Sequence, residues 1–268
     1  IEKRRRCLRT PHMPELPEVE TYARYFARHA LHQRIVRVDV LDERILGEIR
    51  TETFRRKLKG REFVQVRRHG KHLFADAGAT WLHLHFGMTG DLAFGAELPR
   101  FAKIVFVFDG GEQLTFEDMR LFGLADLVDD PDAFIRAKKL GPDPLSLTAT
   151  QFAKLFEGRR GAIKSLLMTQ EVIAGLGNLY VDEMLYQTSV HPRRAVDRLK
   201  GVEVRALYTS MRRILREAIA RRARESELPR NYLYHHREVG DRCPRCGGTI
   251  QRTVVFGRTT YFCAKHQR

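Results

Sequence analysis

Four potential metal ligands occur close together near the end of the 268-residue chain. Cys243 and Cys246 form a Cys-x-x-Cys pair, and Cys263 and His266 form a Cys-x-x-His pair after 16 intervening residues. Two thiolate-rich pairs that leave no position open for water are typical of structural zinc. The sequence therefore predicts one structural Zn²⁺ here. The alternative is that the cysteines are coincidental and that His266 is an ordinary surface residue.

The residues between the two pairs predict a β-hairpin. The segments "TIQRTVVFG" and "RTTYFC" have strand composition and meet near Gly257. Of the four cysteines, Cys7 alone lies outside the cluster. This clustering favours a metal site over a disulfide framework.

The charge of the chain indicates a second kind of chemistry. There are 48 Lys and Arg residues against 33 Asp and Glu, a net charge of +15. Arginine dominates the late segments "HPRRAVDR" and "RRILREAIARRARE", and its guanidinium group matches phosphate geometry. A polyanion, DNA or RNA first, is the expected partner. The alternative is a basic protein with an unrelated function.

The hydrophobic pattern predicts a scaffold in two parts. Residues 17–32 read as a helix with Pro17 in its first turn. From Val36 onwards the period changes to two, which predicts a run of short strands in a sandwich or flattened barrel. From Pro131 the pattern is helical and includes a long helix over residues 202–224. Strands followed by helices indicate an α+β fold or two separate domains.

The composition is that of a folded protein outside the membrane. Hydrophobic residues make up 43% and charged residues 30%, which permits a packed core. No apolar run is long enough to span a bilayer, and the basic N-terminal segment is not followed by the apolar region of a secretory signal. We expect a soluble, cytoplasmic protein.

Three motifs together resemble one enzyme family. These are "MPELPEVE", the helical "AGLGNLYVDE", and the zinc hairpin with "GRTTYFC". In combination they are similar to the formamidopyrimidine-DNA glycosylase/endonuclease VIII family of base-excision repair enzymes, closest to its formamidopyrimidine-DNA glycosylase branch. The resemblance runs from Met13 to the end of the chain.

The resemblance implies covalent catalysis by Pro14, which in that family becomes the N-terminus once the initiator Met is removed. Its secondary amine would attack the sugar C1′, release the damaged base and allow strand cleavage by β,δ-elimination. An amide nitrogen cannot attack, because its lone pair is delocalised into the carbonyl. We therefore expect the working chain to start at Met13, trimmed to Pro14, and residues 1–12 to be a non-native or upstream extension. The alternative is a genuine basic arm.

The resemblance also implies roles in the first half of the chain. Glu15 would move protons at the opening sugar ring, and Lys71 would contact a phosphate beside the lesion. Met88, Arg120 and Phe122 match family residues that enter the duplex when the base is extruded. Leu121 departs from the family's usual Arg-Arg-Phe-Gly form, which removes one polar contact.

In the second half, Lys164 and Asn178 match residues that grip phosphate, and Arg258 matches an arginine that clamps the lesion phosphates. The implied architecture is a catalytic β-sandwich domain with a leading helix over residues 13–130. A helical domain with a helix-two-turn-helix motif follows over 131–236, and the zinc hairpin occupies 237–268. The implied partner is double-stranded DNA with oxidised bases or abasic sites, bound by a monomer near the bacterial nucleoid.

The substrate remains open within this resemblance. The segment "RESELPRNYLYHHREVGDR" before Cys243 is shorter than the loop of family members that recognise 8-oxoguanine. Formamidopyrimidines, oxidised pyrimidines and abasic sites all remain expected substrates. A competing reading is a non-catalytic damaged-DNA-binding protein of the same fold. A ribosome- or RNA-associated zinc protein fits the charge but not the "PELPEVE" motif.

Overall fold

The computed structural model describes Arg5, Arg6 and residues 13–268. They fall into two compact units, Ile1–Lys138 and Lys139–Arg268. The extension predicted over residues 1–12 lies outside the described residues except for Arg5–Arg6, which form a short strand. No helix in the described part of the chain is both long and apolar enough to span a bilayer.

The first unit contains a leading helix and two antiparallel sheets. Its elements are β1 (Arg5–Arg6), α1 (Leu16–Ala30), β2 (Ile35–Val40), α2 (Thr51–Leu58), β3 (Gln65–His69), β4 (His72–Asp76), β5 (Trp81–His85), β6 (Gly90–Gly95), β7 (Ala102–Phe108), β8 (Gln113–Asp118), β9 (Leu124–Val128) and α3 (Pro131–Ala137). One sheet has the order β1-β6-β8-β7-β2 and the other β3-β4-β5-β9. The predicted strand-rich first half is confirmed.

Helix α1 begins where the sequence places it. Glu15 is its N-cap and forms a capping box with Glu18, whose side chain accepts the Glu15 N–H at 2.9 Å. Its apolar face is buried, and Phe26 packs edge-on against Phe63 with ring centroids 4.9 Å apart. This packing holds α1 against the first unit's core.

Helix α2 and strand β6 of this unit were not predicted. Helix α2 buries only Phe54 and Leu58, so its amphipathic signal is short. Strand β6, "GDLAFG", has glycine at both ends and no β-branched residue, and therefore lacks the usual composition of a strand.

Helix α3 belongs to the first unit, although the boundary expected from sequence lay at residues 130/131. Phe134 packs against His83 and Phe74 with ring centroids 4.4 and 5.5 Å apart. Asp132 pairs with Arg67 of β3 at 2.7 Å. Because of these contacts the unit continues to Lys138.

The second unit combines a helical core with a two-stranded hairpin. Its elements are α4 (Ala149–Lys154), α5 (Ile163–Met168), α6 (Asn178–Gln187), α7 (Gly201–Ala220), β10 (Ile250–Val255) and β11 (Arg258–Cys263). Leu207, Met211 and Leu215 of α7 are fully buried. This helix ends before the predicted residue 224, where Arg222 and Ala223 take positive φ angles of 53° and 51°.

The hairpin matches its prediction closely. Strands β10 and β11 pair antiparallel, with Val255 opposite Arg258. Phe256 and Gly257 form the turn with φ of 53° and 65°, and two positive angles define the tight turn that suits a hairpin. The hairpin packs on Tyr186 and Leu233 and so belongs to the second compact unit.

Candidate nucleic-acid interface and metal centre

The N-terminal pair of candidate catalytic residues lies at the start of α1. Pro14 is buried, and Glu15 exposes only 4% of its surface. The capping box ties the Glu15 backbone and side chain to the first turn of the helix. The carboxyl group of Glu15 is therefore held at a fixed position directly after Pro14.

Lys71 occupies the tight turn between β3 and β4. Gly70 has φ of 56°, which allows this turn, and His69 and His72 pair across its base. The Lys71 side chain is half-buried. Its ammonium charge lies close enough to lower the pKa of His85, although burial of that imidazole is the larger cause.

A cluster of three histidines, which the sequence reasoning missed, follows Lys71. His72 lies opposite His85 on the neighbouring strand, and His83 is two residues from His85 and so on the same face. Burial is the main cause that lowers the pKa of His72 to about 2, of His83 to about 3 and of His85 to about 4. The cluster is therefore neutral at physiological pH. The sequence signal for this cluster is that His83 and His85 alternate with leucines in β5, next to β4, which begins with His72.

The candidate wedge residues, which we expect to enter the duplex, are Met88, Arg120 and Phe122. They lie in two loops that contact each other. Met88 is half-buried in the turn between β5 and β6, and Phe122 is 55% exposed in the loop after β8. The guanidinium carbon of Arg120 lies 4.8 Å from the centre of the Phe122 ring. A Cβ added to Gly87 would lie 2.2 Å from the Phe122 carbonyl carbon. Only glycine at position 87 permits this close approach.

In the second unit, Lys164 is fully buried rather than exposed to solvent. Its ammonium group donates to Asn178 Oδ1 at 2.6 Å, Asp182 Oδ1 at 2.6 Å and Thr260 Oγ1 at 2.7 Å. An ammonium group has three hydrogens to donate. Lys164 thus links α5, α6 and β11 through one nitrogen.

The buried ion pair has a second cation. Arg237 contacts Asp182 Oδ2 at 3.0 Å and lies over the ring of Tyr261 at 4.9 Å. Burial raises the pKa of Asp182, and the charges of Lys164 and Arg237 act against that rise. The sequence reasoning had not singled out either Asp182 or Arg237.

Asn178 and Arg258 lie at connected surface positions. Asn178 is the first residue of α6, one position after its N-cap Gly177, and its side-chain amide donates to the Thr259 carbonyl at 3.0 Å. Arg258 is exposed at the hairpin turn, and its carbonyl accepts the Thr260 hydroxyl at 3.0 Å. A helix start next to an exposed arginine is a suitable site for phosphate.

The predicted zinc ligands come together in space. Ligand atoms of Cys243, Cys246, Cys263 and His266 all lie within 4.8 Å of one another. The Cys246–Cys263 sulfur separation and the distance from Cys246 Sγ to His266 Nδ1 are both 3.4 Å. Ligands bound tetrahedrally at about 2.0–2.3 Å lie about 3.5 Å apart. The donor set therefore fits one structural zinc.

A backbone carbonyl of α6 selects the ligand nitrogen of His266. Its Nε2 lies 3.3 Å from the carbonyl oxygen of Tyr186, so that nitrogen carries the proton and donates. Nδ1 is then the unprotonated nitrogen that faces the sulfurs. The Tyr186 hydroxyl lies 3.1 Å from Cys243 Sγ, which further ties the centre to α6.

Comparisons with known proteins agree with this geometry. Three family models match: the formamidopyrimidine-DNA glycosylase N-terminal domain at residues 13–125, its H2TH domain at 140–229, and the zinc finger found in FPG and IleRS at 240–265. The formamidopyrimidine-DNA glycosylase of Roseiflexus sp. is 39% identical over 96% of this chain and 100% of its own length. That of Symbiobacterium thermophilum is 36% identical over 95% and 89%.

The chain belongs to the formamidopyrimidine-DNA glycosylase family.

Solved structures of this family share the fold. A complex of the LlFpg protein with a THF-DNA and an inhibitor has a TM-score of 0.86 at 29% identity, over 95% of this chain and 100% of that one. A complex between Lactococcus lactis FPG and a Fapy-dG containing DNA has a TM-score of 0.84, also at 29% identity and with the same coverage. The family's zinc-finger match ends one residue before His266.

Proposed function

We propose that this protein is a bifunctional DNA glycosylase and abasic-site lyase that removes oxidised bases from double-stranded DNA. The observation that carries the proposal is the family match beginning at residue 13, with Pro14 immediately before a buried carboxylate fixed at the start of α1. Two of the related structures hold DNA with a Fapy-dG or an abasic site. Formamidopyrimidines and abasic sites are accordingly the first substrates to test.

The chemistry is amine catalysis at the sugar. The free Pro14 nitrogen attacks C1′, the glycosidic bond breaks, and the base leaves with a proton. Loss of the ring C1′–O bond gives an iminium between Pro14 and the sugar, which makes the C2′ proton acidic. Its removal expels the 3′-phosphate, and a second elimination expels the 5′-phosphate. Glu15 is the group that we assign to proton transfer at the opening sugar ring.

This reaction requires a chain in which Pro14 is the first residue. A terminal amine titrates at about 7.7–8.0 in ordinary residues, so a useful fraction is unprotonated near neutral pH. The nitrogen of Pro14 in a longer chain is an amide and has no such lone pair. We therefore propose that residues 1–13 are absent from the active form, and that this form works where bacterial chromosomal DNA lies, in the cytoplasm.

DNA contacts come from both units. In the first unit we assign a phosphate contact to Lys71 and duplex insertion to Met88, Arg120 and Phe122. An apolar wedge offsets lost base stacking, and an arginine can bond to the orphaned base.

In the second unit we assign phosphate binding to Asn178 and Arg258. Lys164 serves the same site in a different way, because its ammonium group is buried and already donates to Asn178. We propose that it orients the Asn178 side chain rather than touching the phosphate itself. The zinc centre, through Tyr186 and β11, holds the hairpin that carries Arg258.

Strand cleavage tests the proposal. Duplexes with a formamidopyrimidine, 8-oxoguanine, an oxidised pyrimidine or an abasic site are incubated with the protein that begins at Pro14. We expect cleavage of the formamidopyrimidine and abasic duplexes, and loss of cleavage when one alanine is inserted before Pro14. Tight binding to these duplexes without any cleavage would instead support the non-catalytic damaged-DNA-binding protein.

A further inference from the structure

The two loops that carry the candidate wedge residues begin at neighbouring strand ends. The Met88 turn, residues 86–90, leads into β6, and the Arg120 loop, residues 119–123, follows β8. These strands are adjacent and antiparallel, with Gly90 opposite Asp118. Asp118, the last residue of β8, therefore lies where both loops leave the sheet.

The Asp118 carboxylate is bonded to both loops. Its Oδ1 accepts the hydroxyl of Thr89 in the Met88 turn and also the Arg120 N–H, the latter at 3.1 Å. Its Oδ2 accepts the Gly123 N–H at 2.6 Å. The Thr89 oxygen is in turn 3.0 Å from the Arg120 nitrogen. One side chain thus joins the start and the end of the Arg120 loop to the Met88 turn.

These hydrogen bonds stabilise the charge of the buried Asp118 carboxylate. Asp118 is fully buried, and no lysine or arginine side chain among the described residues forms an ion pair with it. A buried carboxylate without a cation depends on its hydrogen-bond donors. Those donors all come from the two loops, so the loops and the carboxylate fix one another.

The Arg120 loop needs such a restraint because its backbone is strained. Leu121 has φ of 55°, a left-handed conformation that a branched, bulky side chain disfavours. Its two flanking bonds to Asp118, at Arg120 and Gly123, hold the chain on either side of this residue. Without them the loop would relax and carry the exposed Phe122 away from the Gly87 backbone that it contacts.

We propose that Asp118 is a positioning residue that fixes the Met88 turn and the Arg120 loop as one body, so that Met88, Arg120 and Phe122 enter the duplex together. The inference rests on the proposed function for its activity readout. Asp118 does not touch the DNA in this assignment. We therefore expect Asp118 to affect the rate of steps that require extrusion of a base from a duplex, and not the reaction on single-stranded DNA.

Three variants separate this role from general destabilisation. D118N keeps the shape but replaces one acceptor oxygen with an NH₂ group that cannot accept. T89V removes the hydroxyl that donates to Asp118 and accepts the Arg120 N–H, and T89S restores it. We expect D118N to lower the single-turnover excision rate on a formamidopyrimidine duplex by about tenfold or more, and T89V by less; T89S should match the wild type.

Two further readouts decide the outcome. Borohydride trapping on a single-stranded abasic oligonucleotide needs no base extrusion, and we expect all three variants to trap within about twofold of the wild type. Amide hydrogen exchange, which needs no activity, should accelerate at Gly123 in T89V, because the Gly123 N–H is bonded to Asp118 and not to Thr89. Unchanged exchange at Gly123 in T89V, or equal loss of excision and trapping, would overturn the proposal. A wild type that neither excises nor traps would refute the proposed function alone, and exchange would still test the loop coupling.

Discussion

His72 Nδ1 lies 2.9 Å from His83 Nε2, in the pair of strands that follows the Lys71 turn. One ring must donate and the other accept, so this contact requires that the two imidazoles are not both protonated. The remaining nitrogen of His83, Nδ1, is buried and has no hydrogen-bond partner in the described part of the chain. The ring of Phe134 packs against both imidazoles, with its centroid 4.4 Å from that of His83 and 5.5 Å from that of His72. The first unit therefore contains a buried polar pair whose hydrogen bond is lost when both rings are protonated.

This arrangement predicts acid sensitivity. The pKa of His72, His83 and His85 is about 2, 3 and 4 in the folded protein, against an ordinary value of 6.5. The unfolded chain therefore binds more protons below pH 6.5 or so, and the free energy of unfolding should fall as the pH drops from there towards 4. Each histidine contributes up to about 1.4 kcal/mol per pH unit. Urea unfolding followed by Trp81, the single tryptophan, measures the slope.

The control for this prediction is a matched pair of variants. His83→Leu removes one titrating group and should make the slope between pH 6 and 4.5 shallower, whatever it does to stability at neutral pH. His32→Asn alters an exposed histidine with φ of 59°, a conformation that asparagine tolerates, and should leave the slope unchanged. An equal slope in the wild type and His83→Leu would show that the cluster does not titrate as described.

The buried position of Lys164 predicts a particular salt dependence of DNA binding. Each neutralised phosphate contributes about −0.9 to the slope of log K against log salt concentration. Arg258→Ala should make the slope less negative by about that amount, because Arg258 is exposed and assigned to phosphate. Lys164→Met should weaken binding through a displaced Asn178 yet leave the slope close to that of the wild type. Fluorescence anisotropy across a salt series makes the comparison.

The same Lys164→Met variant carries a cost in stability. Among the described residues, it leaves the fully buried Asp182 with Arg237 as its one remaining cation. Removing a partner from a buried pair costs about 3–5 kcal/mol. Binding should therefore be measured well below the unfolding temperature of the variant. A Lys164→Met slope reduced as much as that of Arg258→Ala would mean that Lys164 does reach a phosphate.

The metal centre predicts one zinc per chain and tolerance of a fourth thiolate. His266→Cys should retain one zinc after dialysis against a chelator, since thiolate is an equally suitable ligand. His266→Ala should retain less under the same conditions. Metal analysis by mass spectrometry measures both. If His266→Ala held zinc as firmly as the wild type, His266 would not be a ligand.

Zinc removal should affect DNA binding more than the helical core. The centre shares a small cluster with Tyr186, Leu233 and Ile250, whereas the main core of the second unit is formed by other residues. Chelation should therefore weaken DNA binding strongly and leave most of the helical circular-dichroism signal. Loss of the whole helical signal on chelation would contradict this division.

Local patterns in the sequence were sufficient for some elements and not for others. Helix α1, the β10–β11 hairpin and the ligand set from Cys243 to His266 each depend on residues close in the chain, so capping, turn and spacing rules predict them. Strand β6 depends on the distant strand β8 for its hydrogen bonds, and "GDLAFG" carries little intrinsic preference. Long-range pairing of this kind leaves no local signal.

The candidate site shows the same contrast. Pro14, Glu15 and Arg258 are recognisable from motifs, because each lies in a distinctive short segment. The role of Lys164 depends on Asp182 and Thr260, which lie 18 and 96 residues away in sequence. Its burial follows from this packing and could not be read from the residues around it.

The identity of the attacking nitrogen is the central claim, and borohydride trapping followed by peptide mass spectrometry tests it most directly. The protein that begins at Pro14 is incubated with abasic-site DNA and borohydride, digested, and searched for the reduced sugar adduct. The proposed mechanism predicts the adduct on the N-terminal peptide, at the nitrogen of Pro14. An adduct on Lys71 or another lysine, or efficient trapping by the chain that retains residues 1–13, would contradict it.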